Sequence, residues 1–246
     1  MEDQGFVIAF DRIRVARLCG LSIHRCRFAP ELYGSRLFGA FGIALPAQIA
    51  ASAPKRQREF LAGRLCAREA ARAVGLRPGE IGIGADRSPC WPAGVVGSIS
   101  HCSSQAIAVC ARSPLAASIG IDVEPVLDDG RADALGRSIM TRAETDRLAG
   151  GIGIGSGGVG FAVTLGFSVK ESVYKALFPL ERIRFGFAAL EMTGLDPRTG
   201  EAFVRTRQAI GRIAPRTTFA VGYAVREGVV VTGLCTPTPG APGLRP

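Results

Sequence analysis

Lysine is almost missing from this chain. Of 246 residues only Lys55, Lys170 and Lys175 are lysines, so a formal net charge of +9 rests nearly entirely on arginine. The fixed donor fork of arginine suits phosphates and carboxylates, and the balance points to an anionic partner, although a GC-rich genome writing arginine for lysine produces the same bias. Aromatic residues are also sparse: one Trp and three Tyr do not supply the interleaving of rings and cations expected of a single-strand nucleic-acid binder. No apolar run is long enough to cross a bilayer, and the start, Met1-Glu2-Asp3-Gln4, is acidic where a secretory signal begins basic. The expected location is therefore the cytoplasm. The seven cysteines (Cys19, Cys26, Cys66, Cys90, Cys102, Cys110 and Cys235) are odd in number, scattered and never spaced C-x-x-C. That pattern predicts reduced thiols and argues against a zinc site or a disulfide framework. Cys102 follows His101, but neighbours on a strand point to opposite faces and cannot act as nucleophile and base.

With 47% hydrophobic residues the chain can bury a large core, as one domain or two. Residues 55–74 read as a helix, because Phe60, Leu61, Leu65, Ala70, Ala71 and Val74 recur near helical spacing before Gly75 and Pro78. Its other faces carry Arg56, Arg58, Arg64, Arg68 and Arg72. A Gly/Pro-punctuated loop over 79–92 leads into β-like residues 95–111. Ser118 to Glu124 alternates, with Ile119, Ile121 and Val123 on one face and Gly120, Asp122 and Glu124 on the other. Thr141-Arg142-Ala143-Glu144 and Ser168-Val169-Lys170-Glu171 both fit the S/T-x-x-E capping box and predict two helix starts. Residues 150–160 form a glycine-rich loop whose G-x-G-x-x-G (Gly153, Gly155, Gly158) lacks the preceding strand and directly following helix of a dinucleotide site. Strand-like stretches surround Phe219 and Val230, and the Pro/Gly tail reads as flexible.

Each candidate group carries two readings. Asp122, Glu124 and Glu171 are hard oxygen donors of the kind Mg²⁺ takes; they are equally a solvent-facing strand edge and a capping residue. Lys175 lies one turn beyond Glu171, as a surface i,i+4 ion pair or as a cation beside a phosphate leaving group. His101, at a strand end in Gly97-Ser98-Ile99-Ser100-His101, is structural or faces a phosphate. Arg56 and Arg64 are separated by roughly 12 Å of helix rise and about 80° of rotation, a solvated basic face or a grip on two phosphates.

Taken together, four blocks in order resemble the 4′-phosphopantetheinyl transferase superfamily, most closely its enterobactin-synthase-associated, surfactin-type branch. They are Lys55-Arg56 with Glu59-Phe60-Leu61-Ala62-Gly63-Arg64; Trp91-Pro92 through Gly97-Ser98-Ile99-Ser100-His101; Gly120-Ile121-Asp122-Val123-Glu124; and Phe167-Ser168-Val169-Lys170-Glu171-Ser172-Val173-Tyr174-Lys175. Phe167 stands where the surfactin-type members often have Trp, and the 150–160 loop is richer in glycine than the family's. The resemblance implies an α+β fold of two similar halves related by a pseudo-twofold, 1–116 and 117–235, followed by a tail over 236–246. It implies coenzyme A and Mg²⁺ in the cleft between the halves, with Asp122, Glu124 and Glu171 on the metal. Arg56, Arg64 and His101 would hold phosphates of coenzyme A, with Ser100 and Lys170 nearby and Lys175 at the reacting phosphate. Glu171 would be the general base, with Lys175 and His101 stabilising the departing 3′,5′-ADP. The implied partner is an acidic acyl or peptidyl carrier protein, often of a siderophore or polyketide assembly line, with no nucleic acid or membrane. A different metal-dependent phosphoryl-transfer enzyme remains the alternative, but leaves the arginine helix, the Ser-His block and the lysine without a shared purpose.

Overall fold

The computed structural model describes residues 5–76, 81–152 and 158–238. It divides into two units, Met1–Arg14 with Leu21–Leu115, and Val15–Gly20 with Ala116–Pro246. Both are α+β, and each sets one long helix against an antiparallel sheet.

In the first unit the sheet order is β1-β2-β6-β5, formed by β1 (Val7–Ile13), β2 (Ile23–Phe28), β5 (Val95–His101) and β6 (Gln105–Arg112). A small ribbon pairs β3 (Gly82–Ile83) with β4 (Pro89–Cys90), and two single turns, α1 (Leu37–Ala40) and α2 (Ala47–Ala50), precede the long helix. That helix, α3, spans Pro54–Ala73, one residue earlier at each end than its apolar spacing predicts. Proline at its first position needs no hydrogen-bond partner. At its end Gly75 takes φ 70°, while Leu76 N–H donates to Ala71 O at 3.0 Å and Gly75 N–H to Arg72 O at 3.0 Å, the Schellman arrangement that glycine permits. Leu61, Leu65, Cys66 and Ala70 are buried against Cys26, Phe28, Ala106 and Ala108 of the sheet. Pro78 and Gly79 lie outside the described residues.

The second unit orders its strands β7-β11-β10-β9-β8: β7 (Ser118–Pro125), β8 (Leu190–Asp196), β9 (Glu201–Thr206), β10 (Thr218–Arg226) and β11 (Val229–Thr236). Helix α6 (Val159–Glu181) packs on β7 and β11, flanked by α4 (Asp129–Ile139) and α5 (Arg142–Ile152). The first capping box is present: Thr141 N–H donates to Glu144 Oε2 at 2.9 Å and Glu144 N–H to Thr141 Oγ1 at 3.3 Å. The second is not. Ser168 and Glu171 lie in the middle of α6, which begins nine residues before Ser168, and the Ser168 hydroxyl bonds Thr232 Oγ1 at 2.9 Å. Burial of Phe161, Ala162, Val163 and Leu165 against the core extends the helix past its local start signal. Of the glycine-rich stretch, Gly150 and Gly151 are helical in α5 and Gly160 in α6, whereas Gly153 and Gly155 lie outside the described residues. Thr236 completes β11, and the rest of the tail from residue 239 is likewise outside.

The thiols depart from expectation. Cys19 and Cys235 form a disulfide across 216 residues, and Cys26, Cys66, Cys90, Cys102 and Cys110 are not disulfide-bonded. The bond pins the strap Val15–Gly20 along the second sheet, where Cys235 N–H also donates to Arg17 O at 2.9 Å and Arg17 Nε pairs with Glu201 at 2.7 Å. No spacing rule joins cysteines so far apart in sequence.

Candidate active site

Strand alternation places Gly120, Asp122 and Glu124 on one face of β7, as its pattern predicts. That face is not a solvated edge; it meets α6. A Cβ at Gly120 would overlap the Ser172 carbonyl oxygen and sit 2.7 Å from Ala176 N, so the helix backbone rests directly on the strand. Small polar groups complete the seam. Thr232, paired with Asp122 in register, bonds Ser172 Oγ at 2.7 Å, and the Ser118 hydroxyl donates to the Ala176 carbonyl. Gly120→Ala should therefore cost about 3 kcal/mol, at the upper end of overpacking penalties, read as a lower urea midpoint with unchanged slope. An unaltered midpoint would mean that α6 is not seated this closely.

This seating delivers Glu171 and Lys175, one turn apart, beside Asp122. Lys175 Nζ donates to Asp122 Oδ1 at 2.6 Å, so the lysine reaches across to the strand instead of making only the expected i,i+4 pair on its own helix. Asp122 is 2% exposed; Glu124 and Glu171 are half-buried. Burial lifts the Glu171 carboxyl above the ordinary range, opposed by the Lys175 ammonium and reinforced by the Asp122 charge. Two carboxylates thus repel each other next to a cation. Among the described residues no three His, Cys, Asp or Glu side chains form a ready metal cage. The donor chemistry nonetheless suits Mg²⁺: hard oxygens, mutual repulsion that a divalent cation relieves, and an ion that keeps several waters of its own.

A pocket of about 310 Å³ opens beside Glu171, walled by Tyr174, Phe185, Phe187 and Leu190 with Arg184 on its lining. The ring of Tyr174 meets Phe185 edge-on at 5.1 Å and stacks on Phe178 at 5.5 Å. Sequence reasoning missed this wall. Its signal was Tyr174, three residues beyond Glu171 and so on the same side of a helix.

Lys170 is placed otherwise than the resemblance implies. Only 1% exposed, its ammonium donates to Glu144 Oε1 at 2.9 Å, Ile139 O at 2.8 Å and Phe187 O at 3.4 Å. All three donors are spent inside the unit.

In the first unit, α3 and the end of β5 bring Arg56, Glu59 and His101 together. Arg56 Nη1 lies 2.8 Å from His101 Nε2. A guanidinium can only donate, so Nε2 accepts and the neutral ring carries its proton on Nδ1, which faces Glu59 Oε2 at 3.6 Å. Burial raises the Glu59 carboxyl, with Lys55, Arg56 and Arg58 opposing. Ser100 is buried and points to the face opposite His101. Arg64 is not on a solvated face either: it is 9% exposed, lies 4.3 Å above the Phe60 ring and donates to Gly82 O at 2.9 Å. Burial, with the Arg56 charge, lowers its pKa to about 10. Together with Arg68 and Arg72 it lines a pocket of about 440 Å³.

Comparison with known proteins is decisive. The family model described as 4′-phosphopantetheinyl transferase N-terminal domain matches residues 45–111, and that of the 4′-phosphopantetheinyl transferase superfamily matches residues 118–223. The chain belongs to the 4′-phosphopantetheinyl transferase superfamily. It is 44% identical over 191 residues to enterobactin synthase component D of Escherichia coli K12, covering 77% of this chain and 81% of that one. With 4′-phosphopantetheinyl transferase Svp of Streptomyces mobaraensis it shares 36% over 195 residues, 78% of this chain and 77% of the relative. With 4′-phosphopantetheinyl transferase PptT of Mycobacterium tuberculosis it shares 32% over 206 residues, 76% and 82% of the two chains. Phosphopantetheinyl transferases use coenzyme A as donor and a carrier-protein serine as acceptor. No described helix of this transferase is long and apolar enough to cross a membrane.

Proposed function

We propose that this transferase is Mg²⁺-dependent, works in the cytoplasm and modifies an acidic acyl or peptidyl carrier protein. The observation that carries this reading is the meeting of Asp122, Glu171 and Lys175 at the α6–β7 seam, where Lys175 Nζ lies 2.6 Å from Asp122. Asp122, Glu124 and Glu171 would hold the metal, which when bound would neutralise the pyrophosphate of coenzyme A and draw charge from the phosphorus under attack.

The protein's own groups do the rest. Glu171, whose carboxyl is biased toward accepting a proton, takes the proton of the carrier serine. The serine oxygen forms the new P–O bond as the bond to the 3′,5′-ADP oxygen breaks, and Lys175 offsets the charge that grows on the leaving group. Arg56, held by His101 through Nε2, and Arg64, held against Phe60, offer fixed cations to the phosphates of coenzyme A, with His101 positioning Arg56. Lys170 has no part in this assignment.

The test is intact mass of a panel of acidic apo carrier domains after incubation with coenzyme A and Mg²⁺. A gain of one phosphopantetheine that needs the metal is the expected result. If chelation leaves transfer undiminished, the metal assignment of the three carboxylates fails; if no carrier gains mass and coenzyme A does not bind, the wider reading fails.

A further inference from the structure

Helix α6 ends in a way its backbone alone would not favour. Arg182 takes φ 55° and its N–H closes the last turn on Phe178 O at 2.9 Å, at a position where any residue with a Cβ costs roughly 1–2 kcal/mol relative to glycine. The chain then runs Arg182-Ile183-Arg184, all exposed, before Phe185 and Phe187 turn inward to wall the pocket beside Glu171. Ile183 is 43% exposed, an apolar side chain bracketed by two guanidinium groups.

We propose that Arg182, Ile183 and Arg184 form the docking strip for the acidic acceptor protein. The inference rests on the reading of Glu171 given above. A macromolecule delivering a serine hydroxyl to Glu171 must cover the border of the adjoining pocket, and Arg184 is on that border. Charge complementarity selects an acidic surface, and the exposed isoleucine selects a protein with an apolar residue among its acids rather than a nucleic acid, which would use the arginines alone.

The test is steady-state kinetics of the full chain with an acidic apo carrier domain and coenzyme A, for Ile183→Asp and for Arg182→Glu combined with Arg184→Glu. The expected result is a carrier KM raised about tenfold in each variant. For Ile183→Asp the coenzyme A KM stays within about twofold of wild type, and the melting temperature of both variants is preserved. The wild-type carrier KM should also rise with salt, and that of the double-charge variant should rise less steeply. Carrier KM values within about twofold of wild type in both variants would overturn the docking strip while leaving the transferase reading intact. So would weakened binding of a single-stranded oligonucleotide with carrier KM unchanged. Failure of the wild-type protein to modify any carrier would remove both.

Discussion

Glu171→Gln is expected to abolish phosphopantetheine transfer, by a factor on the order of 10²–10⁴ for loss of a general base, while making the metal-free protein more stable. The two effects share one cause. Burial first, and then the charge of Asp122, hold the Glu171 carboxyl above its unfolded value, with Lys175 only partly opposing. A carboxyl raised on folding contributes stability that is fully present below the unfolded pKa and is lost as pH rises through the folded one. At neutral pH the charged Glu171 is thus a cost to the fold, and neutral Gln removes it. Intact mass reports the first effect, and a melting curve with chelator at neutral pH reports the second. The wild-type and Gln proteins should converge in stability as pH falls through the carboxylate range. A variant that kept its transfer rate, or that melted lower at neutral pH, would remove Glu171 from the role of a strained, functional carboxylate.

Lys170→Met is expected to act in the opposite sense, costing about 3 kcal/mol of stability, which for a chain of this size lowers the melting temperature by roughly 10 °C. Lys170 and Glu144 are 1% and 3% exposed, with Nζ 2.9 Å from Oε1. Burial pushes the Glu144 carboxyl up, but N–H donors of Thr141 and Met192 and the Lys170 ammonium outweigh it and hold the carboxyl below its ordinary value. Burial likewise disfavours the charged Lys170, which Glu144 offsets only in part. The pair is therefore held in place by its hydrogen bonds, and stripping one partner leaves a buried charge. Arg207, 3.5 Å from Glu144 Oε2 and partly exposed, keeps the loss at the lower end of the range for a broken buried pair. Adding Glu144→Gln should recover part of it, since the amide oxygen can still accept one of the backbone bonds. If instead Lys170→Met raised the coenzyme A KM with no change in melting temperature, the lysine would be a ligand contact as the resemblance implies.

The contrast between Lys170 and Glu171 marks where the sequence stops being readable. Helix α3 was legible to within a residue, because its apolar spacing and Gly75 are local signals. The carboxylate face of β7 was legible from its alternation, but that it lies under α6 was not. The close seat depends on Gly120, Ser172 and Thr232, which are silent as hydrophobic pattern. The resemblance sets Lys170 near the phosphates, and nothing in its own block points to its partner 26 residues earlier. Strands β1 and β2 were unreadable for a related reason: Arg25 breaks the apolar pattern yet is 5% exposed, buried by its pairing with Asp11 at 2.7 Å. The N-terminal half of α6 was hidden by the glycines ahead of it and by a capping box inside it that serves no cap. Charged residues that are paired over distance defeat periodicity, because pattern reading treats every charge as solvated.

The strap Val15–Gly20 bears on the order in which the chain is made. The surface that receives its residues is built from Gly222, whose missing Cβ clears the Ala16 backbone, and Gly233, which lies under Leu18. Those positions are synthesised well after the strap itself. The first unit can assemble around α3 while the strap waits with Leu18 bare, and only completion of β10 and β11 gives it a berth. Folding unit by unit during synthesis therefore leaves the strap unsettled until the second unit forms, although the residues on either side of it belong to the first. A C-terminal fragment starting at Ala116 would carry the berth without the piece that fills it, so dissecting the protein at its apparent boundary separates a six-residue part from the unit to which it belongs.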